Sequence, residues 1–176
     1  VSHSRFLDND YGLHVYSSGA STFSSAEVSH SEASGSEEGF RAEALSGGTA
    51  RLNIQDSVAN KNLYGVRLNS LASSVTEANI ATSAFSGNSF HAVRVDASGG
   101  TTRATVSGSL ISHTGLDGLA ASGSGAKLVV SGNTIAHNDI GLAQDSSAVL
   151  LSTGDNTLSD NATANISGTI GALTKL

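Results

Sequence analysis

The 176-residue chain contains no cysteine, proline, methionine or tryptophan. Without cysteine there is no disulfide framework and no thiolate metal site. Cations are scarce, nine Lys and Arg against fifteen Asp and Glu for a net charge of −6, which argues against a nucleic-acid partner. No apolar run approaches the roughly 18 residues of a membrane span. No signal peptide is visible either, and the chain starts at Val1 rather than Met, so it is expected to be a C-terminal fragment or processed form of a longer protein. Yet 38% of residues are apolar and only 14% charged, too apolar for a disordered chain. The length suits a single domain, residues 1–176.

What the chain has in abundance is serine, 31 residues, and glycine, 20 residues. That composition resembles a flexible linker until its period is read. An apolar residue, two variable residues, Asn, a short gap, Gly and then apolar-x-apolar recur seven times. The Asn position falls on Asn9, Ser36, Asn62, Asn88, Thr114, Asn138 and Asn161. The Gly position falls on Gly12, Gly39, Gly65, Ala92, Gly118, Gly141 and Ala164. Successive units are 23–27 residues apart. Within each unit the apolar residues alternate with period two, as in Leu13-x-Val15 and Leu52-x-Ile54, and no run is long enough for a helix.

A unit of three short strands and three turns is one coil of an all-β parallel solenoid, here of about seven coils. The spacing predicts Leu13, Val15, Val66, Leu68, Val93 and Val95 inside and Arg41, Arg67 and Arg94 outside. The Asn column reads as a structural ladder whose side chains tolerate the left-handed conformation at a bend and satisfy backbone groups there. On that reading Asn62→Leu costs about 1–3 kcal/mol, and Ser73→Leu, in the turn that varies most in length, costs little.

The repeated pattern, clearest in NTIAHNDIGLAQDSSAVLLSTGDNTLSDNATANISGTI at 133–170, resembles the right-handed parallel β-helix superfamily, the pectate-lyase-like fold. It is most similar to bacterial right-handed parallel β-helix repeat proteins. The resemblance implies the right hand of the coil, earlier coils upstream, and a secreted, periplasmic or cell-surface location. Enzymes of that superfamily imply sites absent here: pectate-lyase calcium carboxylates with an arginine base, the paired acids and Gly-His-Gly of polygalacturonases, the Asp-Pro-His of alginate epimerases.

Few residues then stand out as chemistry. Asp8, Asp10 and His14 are the one local concentration of acid and imidazole, and so the only catalytic candidates. His113 and His137 occupy equivalent positions on neighbouring coils but supply two ligands where zinc sites use three or four. No cofactor and no metal are expected. The binding candidates form a row, His14, Arg41, Arg67 and Arg94, flanked by Tyr11 and Tyr64. Such a row suits a polysaccharide or cell-surface glycan, by bidentate bonding and ring stacking. The competing reading pairs Arg41 with Glu43 and Arg94 with Asp96 in a solubilising stripe. Two functions stay open: a non-catalytic scaffold that binds a glycan or surface partner, or part of a polysaccharide lyase or epimerase whose catalytic coils lie upstream. An exposed first coil is also expected to favour end-to-end self-association.

Overall fold

Alternating apolar residues can be buried in a chain without helices only if strands stack face to face or coil around a common core. The computed structural model, which describes residues 1–173, shows the second solution. Residues 174–176 of the expected domain lie outside the described residues.

The chain passes through three sheets in turn, each of seven strands, and every strand pairs in parallel with its equivalent on the next coil. Sheet 1 is narrow and holds three-residue strands, from Arg5–Leu7 and Glu32–Ser34 to Thr157–Ser159. Sheet 2 holds the strands that carry the Gly column, among them Tyr11–Ser18, Glu38–Leu45, Tyr64–Leu71 and His91–Ser98. Sheet 3 follows the variable turn, with Phe23–Ser29, Thr49–Gln55, Val75–Ala81, Thr101–Ser107 and Ala126–Ser131. Seven strands per sheet enclose six pairing intervals, so the solenoid makes about six turns rather than seven. At about 4.8 Å per interval the rod is about 29 Å long.

One residue of every pair faces the lumen. Val66, Leu68, Val93 and Val95 are fully buried, Val15 nearly so, and Leu13 packs against the core at its open end. Phe40, Phe85, Leu52, Ile54, Ile80 and Ile111 fill the rest of its middle. The register pairs Arg41 with Arg67 and Arg67 with Arg94 on the outer face of sheet 2. In the last coil it corrects the repeat by one residue. Ala164 pairs with Ile140, which puts Asn165 and not Ala164 opposite Gly141. Glycine holds most of this column because a Cβ at Gly39 or Gly65 would lie 2.6 or 2.5 Å from the carbonyl oxygen of the next coil.

Two turns per coil are tight, and each is made by one residue with positive φ. Between sheets 1 and 2 these residues include Asp8, Lys61, His113, His137 and Asp160, and between sheets 3 and 1 they include His3, His30, Asp56 and Thr82. The left-handed position is therefore the residue before the Asn column, not the Asn itself. The Asn side chains bond from coil to coil. Asn62 Oδ1 accepts from the Ser36 N–H at 2.9 Å, Asn62 Nδ2 donates to the Ala33 carbonyl at 3.1 Å, and the Asn62 N–H donates to Asn88 Oδ1 at 3.0 Å. Thr114 interrupts the pattern by donating its hydroxyl to Asn138 Oδ1 at 2.8 Å.

A second ladder lines the other tight turn. The N–H groups of Ser31, Ser57 and Ser83 donate to the hydroxyls of Ser57, Ser83 and Ser109 on the following coils, and the Ser109 N–H donates to Asn133 Oδ1. Each of Ser31, Ser57, Ser83 and Ser109 also donates its hydroxyl to the carbonyl two residues back. In the variable turn Ser73 has a φ of 60°, so leucine there is strained, contrary to the expectation that the position is indifferent.

Candidate functional site

The arginine row on sheet 2 is built into a closed network. Its centre is Glu38, 1% exposed, which occupies the column between Tyr11 and Tyr64. Arg41 Nη1 donates to both carboxylate oxygens of Glu38, at 2.8 and 2.9 Å, and Arg67 Nη1 donates to Oε1 at 2.9 Å. Arg41 Nη2 also donates to Glu43 at 2.7 Å, and Arg94 Nε donates to Asp96 at 2.7 Å. Burial opposes the charge of Arg41, but Glu38 and Glu43 outweigh it and hold the guanidinium above its ordinary range. Arg67 is raised in the same way, against burial, by Glu38. The Arg41 and Arg67 guanidinium carbons lie 5.2 and 4.9 Å from the Tyr11 and Tyr64 ring centres. Tyr64 also stacks on His91 at 5.6 Å, so neighbours occupy the ring faces that a sugar would use.

His14 belongs to the same face. Its ring lies 5.0 Å from Tyr11 and 5.6 Å from Tyr16, with Nε2 3.8 Å from Glu43. Burial first, and the Arg41 charge second, hold its imidazole below the usual 6.5, while Glu43 and Glu38 pull the other way. Asp8 is the left-handed residue of the first turn between sheets 1 and 2, and Asp10 is exposed beside Tyr11. Among the described residues no three His, Asp or Glu side chains converge as a metal site requires.

Sheet 3 presents a different surface. Its outer columns bring Arg51, Glu77, Arg103 and Lys127 into one row, with Asn53, Asn79, Thr105 and Val129 in the next. These eight residues line a groove of about 550 Å³. Arg51 Nε donates to Glu77 at 2.7 Å, and Asn79 Nδ2 donates to Asn53 Oδ1 at 3.2 Å. Arg103 Nη1 stands 3.9 Å from the same carboxylate, too far for a hydrogen bond. Three cations thus face one acid. The Arg51 and Arg103 side chains are 55% and 59% exposed, against 12%, 32% and 18% for Arg41, Arg67 and Arg94.

The apolar run after the Gly column does not point to this groove. The signal was present in the other run, as Arg51-x-Asn53, Glu77-x-Asn79, Arg103-x-Thr105 and Lys127-x-Val129 at outward positions. Glu38 is hidden for a different reason. Its column precedes the Gly column, where the chain turns a corner and period two no longer tells inside from outside.

Comparison with protein-family models, with curated proteins and with solved structures gave no match. The solenoid fold stands on its coil geometry.

Proposed function

We propose that this chain is a non-catalytic β-solenoid scaffold that binds an acidic polysaccharide along the outer face of sheet 3. The observation that carries this reading is the row of Arg51, Glu77, Arg103 and Lys127 in the groove, where Arg51 and Arg103 share the one carboxylate and Lys127 lies a coil further on. Exposed guanidinium groups keep donors for a uronate or sulfate, and Arg suits planar bidentate carboxylates. The neighbouring Asn53, Asn79 and Thr105 offer amide and hydroxyl groups to sugar hydroxyls. A rigid sheet spaces these groups regularly, about 4.8 Å per coil, so a repeating polymer meets a repeating surface. The positive row sits on a chain of net charge −6, so attraction is local and falls with added salt.

The row of His14, Arg41, Arg67 and Arg94 with Tyr11 and Tyr64 is the second reading, favoured by the exposure of Tyr11 and Tyr16 at the first coil. There a glycan has to displace carboxylates already bonded to the arginines. The alternative of a polysaccharide lyase or epimerase completed by coils outside this chain uses the same polymer class but adds turnover. A secreted, periplasmic or cell-surface location and kinship with pectate-lyase-like proteins fit either reading and rest on the resemblance alone. End-to-end self-association would place grooves of successive copies in line. The test is calorimetric titration of the chain with polygalacturonate at low salt. Saturable binding that Arg103→Ala/Lys127→Ala removes is the expected result, and undiminished binding by that variant overturns the reading.

A further inference from the structure

We propose that His113 and His137 form a chelating pair for a borderline divalent transition cation such as Cu²⁺ or Ni²⁺, which two imidazoles and water can hold. Both are the left-handed residue of the turn between sheets 1 and 2, on neighbouring coils, with φ of 56° and 59°. The conformation projects both side chains from the corner, where both are exposed. Their ring centres lie 5.0 Å apart and the planes open by 38°. Two nitrogens bound at about 2.0–2.1 Å to one metal lie about 2.9–3.4 Å apart for angles between square and tetrahedral. Two exposed rings at this separation reach that range by rotation about their side-chain bonds.

Two further observations favour this pair. First, neither imidazole makes a hydrogen bond or ion pair among the described residues, so no partner has to be displaced. Second, the backbone beneath them is fixed, since the residues that follow, Thr114 and Asn138, are joined by two bonds, from the Thr114 N–H at 3.1 Å and its hydroxyl at 2.8 Å, both to Asn138 Oδ1. A pair held on a rigid turn loses little freedom on binding. Asp160 takes the same left-handed position on the next coil, so a carboxylate continues the column beyond His137. No third side chain among the described residues closes the site, so water completes the coordination.

The molecule contains its own comparison. His3 and His30 also stand 5.0 Å apart at the other tight turn, but their planes are parallel within 2°, and His30 Nε2 lies 3.9 Å from Asp56. Imidazole nitrogens bind first-row divalent metals in an order that peaks at Cu²⁺, and only as the neutral ring, so binding weakens in acid.

The test is titration of the full chain with Cu²⁺ in a non-coordinating buffer, its Val1 amine acetylated so that Val1-Ser2-His3 cannot chelate the ion through the chain terminus, read by calorimetry and by paramagnetic broadening of the six histidine ring signals. The expected result is one equivalent bound, with the His113 and His137 signals broadened first. His113→Asn and His137→Asn, which suit the left-handed position, each weaken binding by about tenfold or more, whereas His30→Asn leaves it within about twofold. First broadening of His3 and His30, no selective broadening, or wild-type affinity in His137→Asn overturns the proposal. The broadening pattern needs no variant, so it decides the matter even if a substitution unfolds the chain.

Discussion

Sheets 2 and 3 both carry rows of basic residues on neighbouring coils, Arg41, Arg67 and Arg94 on one and Arg51, Arg103 and Lys127 with Glu77 between on the other, yet the two rows do different work. On sheet 2 the cations Arg41, Arg67 and Arg94 face Glu38, Glu43 and Asp96, and their side chains are largely covered. On sheet 3 Arg51 and Arg103 share Glu77, Lys127 follows on the next coil, and all three cations stay exposed. Arg94 is held by Asp96, and for Arg41 and Arg67 the difference comes from one position. Glu38 lies deep in the corner before the Gly column and draws two guanidiniums down onto the sheet; sheet 3 has no such buried acid among its described residues. A row of like residues thus becomes part of the fold where a buried counter-charge anchors it, and a surface where none does.

The largest expected effect follows from removing that anchor. Glu38→Gln should cost about 2–4 kcal/mol, somewhat below the loss for a fully buried pair because Arg67 remains partly exposed. The matching change on the other face, Glu77→Gln, should cost less than about 0.5 kcal/mol and should tighten binding of an acidic polymer. Urea unfolding of both variants measures the contrast, and equal losses would erase the distinction between the faces.

Next comes the ladder that positions both faces by fixing the turns. Asn62→Leu removes an acceptor for the Ser36 N–H and a donor to the Ala33 carbonyl in a fully buried corner, at about 1–3 kcal/mol. Ser57→Ala, which removes the acceptor for the Ser31 N–H and the donor to the Gln55 carbonyl, should cost about 0.5–1.5 kcal/mol. A melting temperature for Asn62→Leu equal to that of the parent chain would contradict the ladder's role.

The smallest effect is on pH dependence near neutrality, and His14 on sheet 2 carries it. Burial and Arg41 hold the folded His14 imidazole below its ordinary 6.5. Between those two values the unfolded chain binds more protons, so stability is present above 6.5 and is lost as the pH falls towards the folded value. The melting temperature of the parent chain should therefore drop from neutral to mildly acid pH, and His14→Asn should flatten that part of the curve. An unchanged slope would remove His14 from the network.

The fold was legible because the solenoid repeats its signals. Leu13, Val15, Val66 and Val93 recur at one spacing, and the Asn column at Asn62, Asn88 and Asn138 recurs beside them. The serine ladder at Ser31, Ser57, Ser83 and Ser109 is as regular, but it is hidden among 31 serines of which most do other things. The off-by-one at Ala164 arose where the final coil had no later repeat to fix its register. The site was harder to read. Strand alternation identifies which side of a sheet a residue faces, so Arg41 and Arg103 look alike in sequence. What separates them is a neighbour across a corner, Glu38, whose burial depends on how two sheets meet.

The most direct measurement is titration with polygalacturonate at low salt, run in parallel on the parent chain, Arg103→Ala/Lys127→Ala and Arg67→Ala. The account predicts that the double variant loses binding while unfolding almost as the parent does, and that Arg67→Ala unfolds more easily while binding as the parent does. Loss of binding in Arg67→Ala with retention in the double variant would place the glycan on sheet 2 and contradict the account.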